Sequence, residues 1–153
     1  MKEDRVAKAI ALFKEGYNCS QSVVAAFADE YGFTREQALR MAASFGGGIG
    51  RMRETCGAAC GMFKLAGLAA GASEGSDREG KAANYALVQE LAEEFKRRNG
   101  ALRCADLLGL SKKEPVISTP EARTEQYYAK RPCVKMVEEA AKIWSEYLEM
   151  HKK

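Results

Sequence analysis

Five cysteines stand at positions 19, 56, 60, 104 and 133, and four of them fall at, or within a turn of, the expected start of a helix. Cys19 follows Asn18 and leads the apolar stripe Val23, Ala26, Phe27. Cys56 follows Thr55 and leads Cys60 and Phe63, Cys104 opens the short run with Leu107 and Leu108, and Cys133 comes directly after Pro132. A helix N-terminus carries unpaired N–H groups and a partial positive charge, which favour thiolate over thiol. Thiolates attack disulfides, bind soft metals and ligate iron–sulfur clusters. Four cysteines placed alike point to one shared site, so Cys19, Cys56, Cys104 and Cys133 are the candidate redox and metal-ligating residues.

Cys56 and Cys60 lie one helical turn apart on one face, a spacing that lets two thiolates reach a single metal or cluster. It suits a disulfide less well, because the side chains run parallel about 6 Å apart at the Cα atoms. The plainer reading of Cys60 is a small buried residue in an Ala/Gly helix. Upstream, FGGGIGRMRETCG joins a glycine-rich loop, two arginines and a cysteine at a helix start. Gly47 and Gly48, with Gly57 beyond Cys56, would let backbone approach a bound anion or sulfide-rich centre, and Arg51 and Arg53 would lower nearby thiol pKa values. A helix-breaking linker with solvated arginines is the alternative. The segment lacks the Lys-Ser/Thr element of a phosphate loop and no strand precedes it.

Other chemistries have little support. No CxxC or CxxCH occurs, which argues against thioredoxin-type, zinc-finger and c-type haem sites. His151, the single histidine, lies in the C-terminal tail, away from any ligand or general-base role. Glu93, Glu94, Glu138 and Glu139 read as a solvated helix face, and Met41, Met52 and Met62 as core filler. Tyr17, Tyr127 and Tyr128 are candidates for hydrogen bonds near a thiol.

The elements that must position these residues are helical throughout. The patterns predict helices over about 3–15, 19–31 and, from the capping box Thr34-x-x-Gln37, to Phe45. A central helix follows over 56–71, rich in glycine and alanine, which requires neighbours packed close against its backbone. Further helices are expected from the box Ser76-x-x-Glu79 to Asn99, with Val88, Leu91, Ala92 and Phe95 on its apolar face, then over 104–108. Another box, Ser118-x-x-Glu121 with Pro120, predicts a short helix, and the last runs over 132–150 on the stripe Val134, Val137, Ala141, Trp144, Leu148. The expectation is all-α: one compact bundle of about six or seven helices, a single domain over residues 1–153. The heptad-like last helix suits a homodimer as well as packing inside the bundle.

A chain of 153 residues can bury a core without disulfide staples. The net charge of +3 is mild and the charges are interspersed, which argues against a nucleic-acid partner. Lys96, Arg97 and Arg98 complement a helix dipole. No stretch reaches the roughly 20 apolar residues of a membrane span, and the N-terminus lacks the apolar region of a signal peptide, so a cytoplasmic protein without membrane insertion is expected.

Four blocks, GYNCSQSV, the glycine loop leading into TCGAACG, RCADLLG and RPCVKMVEEAA, resemble in order the redox-active protein family named for its cysteine pattern C_GCAxxG_C_C. The resemblance spans Cys19 to about Ala141. It implies that Cys19, Cys56, Cys104 and Cys133 are the signature cysteines and that Cys56-Gly57-Ala58-x-x-Gly61 is the CGAxxG element. Cys60 falls at a variable position of that element, as an addition able to substitute for a ligand or to lie beside the set. The chain is also similar, more distantly, to the cluster-bearing part of split-Soret-type cytochromes, which implies an iron–sulfur cofactor. Two forms of a redox site with an unidentified redox partner follow. Four cysteines ligate a two-iron cluster, or a low-pKa attacking thiol at Cys56 pairs with a resolving thiol. The alternatives are a structural zinc holding four helix starts together and a helical interaction module with buried cysteines.

Overall fold

The computed structural model describes residues 4–110 and 115–152, and among these it is all-α. Its helices are α1 (Arg5–Lys14), α2 (Cys19–Phe27), α3 (Arg35–Ala42), α4 (Gly57–Ala70), α5 (Arg78–Asn99), α6 (Cys104–Leu108), α7 (Glu125–Lys130) and α8 (Cys133–Met150). Short 3-10 turns extend α2 through Tyr31 and α3 through Phe45. Gly32, in the left-handed region at φ 83°, closes the first of these. Isolated pairing between Thr55 and Arg103 is the sole strand-like contact among the described residues.

α4 is the central helix. Gly57 to Met62, Leu65 and Ala66 are buried, and the helix packs against α2, α5 and α8. Its composition has a steric cause. A Cβ on Gly61 would stand 3.0 Å from Val23 Cβ and 3.1 Å from the Ser20 carbonyl oxygen, so α2 lies directly on the α4 backbone. The tight crossing offsets the roughly 0.5–1 kcal/mol that an interior glycine costs a helix. Around it, Phe13, Phe27, Phe95 and Trp144 are fully buried. On α8, Val137, Ala141 and Trp144 are buried while Val134 and Leu148 pack half-buried against the same core, so the heptad-like stripe is used inside the bundle.

Two helix starts differ from expectation. α5 is capped by Asp77, whose carboxylate accepts from the Gly80 N–H at 2.8 Å, and not by Ser76. Asp77 meets the third backbone N–H in register, while Ser76 is one residue too early. The buried line of α5 is correspondingly Leu87, Leu91 and Phe95, with Val88 at its flank. Ser118-x-x-Glu121 opens no helix. Residues 115–124 run as an irregular strap, and α7 begins only after Thr124, whose hydroxyl accepts from the Tyr127 N–H at 3.2 Å. Pro120 biases Thr119 toward extended backbone. The carbonyls of Ile117 and Thr119, on either side of the expected N-cap Ser118, accept from the Arg51 guanidinium. Among the described residues no helix is long and apolar enough to cross a membrane.

Candidate functional site

Four helix starts meet at one end of α4. Cys19 is set by a reciprocal capping box: Asn18 accepts from the Gln21 N–H at 2.8 Å, and the Gln21 side chain accepts from the Asn18 N–H at 3.0 Å. The Asn18 amide also donates to the Ala43 carbonyl at 3.1 Å, tying α2 to the turn before the glycine loop. Cys56 caps α4 and donates its N–H to Leu102 O at 2.8 Å; Cys104 donates to Glu54 O. This pair of bonds across the Thr55–Arg103 bridge lays the starts of α4 and α6 side by side. Cys133, the first residue of α8, completes the set.

All five cysteines are free and buried, but only four share a space. Cys19, Cys56, Cys104 and Cys133 line one cavity of about 290 Å³, together with Gly46 to Gly48, Gly57, Arg51, Arg53, Arg123 and Arg131. Cys60 does not line it. Its sulfur lies 3.8 Å from Thr55 O, and its charged neighbour is Lys64. The i, i+4 spacing put Cys60 on the same face as Cys56, yet the cavity lies at the end of α4 and is lined there by the cap residue Cys56 and by Gly57, not by Cys60 one turn further on.

The loop over residues 46–53 explains why glycine is needed. A Cβ on Gly48 would fall 2.5 Å from Cys104 Cβ, one on Gly57 2.6 Å from Phe45 O and 3.3 Å from Cys19 Cβ, and one on Gly46 2.5 Å from Asn18 Cβ. Loop backbone at Gly48 therefore abuts Cys104, and the α4 backbone at Gly57 abuts Cys19. The loop is also left-handed, with positive φ at Gly47, Gly48, Ile49, Gly50, Arg51 and Arg53. The three non-glycines carry strain of about 1–2 kcal/mol each.

Electrostatics divide the thiols. Helix starts were expected to hold each of them toward thiolate, with Cys56 as the attacking group, and Cys56 corrects this. Burial pushes its thiol up to about 12, although the Ala58 and Ala59 N–H groups donate to it. The field at a helix end is worth about 0.3–1 kcal/mol, less than one pKa unit. Full burial moves a titrating group by up to about 3–5 units, so burial dominates. Burial likewise raises Cys104, against the Arg53 guanidinium, and lifts Cys60 to about 11. Cys133 alone is lowered, to about 7, first by its interaction with the neighbouring Cys19 thiol and then by Arg131 and Arg53. Cys19, buried and interacting with Cys133, is held well above the usual thiol value.

The strap forms one wall of the cavity. Ser118, Pro120, Glu121 and Arg123 line it, and Glu121 pairs with Arg131. Arg123 donates to Phe13 O at 2.8 Å and Tyr17 O at 2.9 Å, with its guanidinium 4.4 Å from the Phe13 ring centre and 4.9 Å from that of Tyr127. Arg123→Ala should destabilise the fold by about 1–3 kcal/mol, since two charge-assisted bonds are lost and two carbonyls are left beneath the strap. A urea titration measures this, and an unchanged midpoint would mean the strap is not held by Arg123.

Sequence reasoning missed Asn18, Arg123 and Arg131, and placed Tyr127 only loosely. Asn18-x-x-Gln21 is itself a capping-box pattern and was open to recognition. Arg123 and Arg131 had no local signal, because their partners are distant in the chain.

The family described as "Putative redox-active protein (C_GCAxxG_C_C)" matches residues 17–147. The chain belongs to this family. Cys19, Cys56, Cys60, Cys104 and Cys133 all lie within the matched residues. No curated protein and no solved structure matches the chain.

Proposed function

We propose that this family member is an electron-transfer protein in which Cys19, Cys56, Cys104 and Cys133 hold an iron–sulfur cluster of the two-iron type. The observation that carries this reading is the convergence of four free, buried thiols, each from a different helix start, on one cavity. The donor set fits the group: four thiolates are the usual ligands of a two-iron cluster, which when bound takes up and releases a single electron. Among the described residues no three His, Cys, Asp or Glu side chains are gathered closely enough to hold one metal ion. Thiols spread around a cavity suit a centre with extent better than the tight tetrahedron of a single zinc. Arg53 at Cys104 and Arg131 at Cys133 offset the negative charge that four thiolates bring together.

Anaerobic reconstitution with ferrous iron and sulfide tests the reading. Visible absorption that bleaches reversibly on one-electron reduction is expected, and a protein that stays colourless with all thiols free would contradict it.

A second reading has one observation in its favour, the closeness of Cys19 and Cys133, each of which shifts the other's titration. In metal-free protein these two thiols can give up two electrons and two protons to an acceptor of the disulfide class, which leaves as two thiols while a Cys19–Cys133 bond forms. The attacking thiolate is then Cys133. Its lowered pKa means that the thiolate fraction, and with it the oxidation rate, falls as the pH drops through about 7. A rate that follows an ordinary thiol near ~8.5 would rule out Cys133 as the attacking group.

A further inference from the structure

Arg53 is an arginine where the backbone asks for glycine. Its φ is 64°, in the left-handed region, within a loop that uses glycine at Gly47, Gly48 and Gly50 for the same conformation. The backbone work at this position needs no side chain: the Arg53 N–H donates to Gly47 O at 3.2 Å, and its carbonyl accepts from the Ala105 N–H at 3.2 Å. The side chain instead goes to a sulfur. Arg53 Nη1 lies 3.7 Å from Cys104 Sγ, within reach of an N–H···S bond. Of the neighbouring arginines, Arg51 is committed to the strap carbonyls and Arg103 to Glu54, while Arg131 divides between Glu121 and Cys133. Among the described residues no ion pair engages Arg53. Backbone strain at a functional site persists when the side chain it delivers is needed there.

We propose that Arg53 is a positioning and charge-balancing residue that acts through Cys104 to raise the reduction potential of the four-thiol centre. The inference rests on the cluster reading given above. Hydrogen bonds to ligand sulfurs and nearby positive charge stabilise the reduced, more negative state, and both are levers on cluster potentials. The thiols differ in this respect: guanidinium groups act on Cys104 and Cys133, whereas no arginine is among the leading influences on Cys19 or Cys56.

The test compares full-length wild type, Arg53→Gly and Arg53→Lys, prepared without oxygen, by iron and sulfide content, melting temperature and spectroelectrochemical midpoint potential. Arg53→Gly is expected to keep the wild-type iron and sulfide content and a melting temperature no lower than wild type, because glycine relieves the left-handed strain. Its potential is expected to shift downward, with Arg53→Lys restoring part of that shift. An unchanged potential in a fully loaded Arg53→Gly protein would overturn the proposal and leave the cluster reading standing. So would a melting temperature that falls with the potential, or lost iron that lysine does not restore, since either makes the role structural. Wild-type protein without iron would overturn the cluster reading and this inference with it.

Discussion

Cys56→Ser should strip iron and sulfide from the protein, while Cys60→Ser leaves both at wild-type levels. Cys56 caps the central helix and lines the shared cavity, and Cys60, one turn further along, does not. A serine hydroxyl is too poorly acidic and too hard a donor to replace a thiolate at a sulfur-rich centre. In metal-free protein the two substitutions should cost about the same, roughly 1–3 kcal/mol each, since each places a hydroxyl in a buried thiol's position. The difference in iron therefore reports ligation and not folding. Iron and sulfide analysis beside a denaturant titration separates the two effects. Equal iron loss in both variants would place Cys60 among the ligands and redraw the site.

The largest stability effect is expected at Gly48. Its φ of 74° is unfavourable to any residue with a Cβ. The added carbon of Gly48→Ala would also meet Cys104 Cβ at 2.5 Å, Arg53 Cα at 2.8 Å and the Glu54 nitrogen at 2.8 Å. Two of those three atoms are backbone, so side-chain rotation offers little relief. Conformational strain of about 1–2 kcal/mol adds to an overpacking cost of about 1–3 kcal/mol, so about 2–5 kcal/mol is expected. Thermal or urea unfolding measures it. The damage should also be local to the site, displacing Cys104 before it disturbs α4. Gly67→Ala is the contrasting case within α4, because nothing lies within 4 Å of its added Cβ and the helix should gain a few tenths of a kcal/mol or more. A Gly48→Ala protein as stable as wild type would mean that the loop does not press on Cys104.

Much of this architecture was legible because its signals are local. The capping box at Thr34, glycines at the helix ends and the apolar spacing in α2, α3 and α8 each lie within a few residues of what they specify. The cysteines could be grouped for the same reason, since each stands at a helix start. What failed was decided by partners far along the chain. The strap reads locally as a helix start, and becomes irregular because Arg51, more than sixty residues upstream, takes its carbonyls. Cys56 reads as a low-pKa thiol from its helix position, and burial beneath the loop and three other helix starts reverses that. The pairing of Cys19 with Cys133 joins residues at opposite ends of the chain and left no mark in either neighbourhood.

The central claim is that the four signature thiols ligate a shared iron–sulfur centre. Iron and acid-labile sulfide measured per chain on protein isolated without oxygen test it most directly. The two-iron reading predicts about two of each. Protein that carries no iron or sulfide, and whose five thiols all titrate as free, would contradict it.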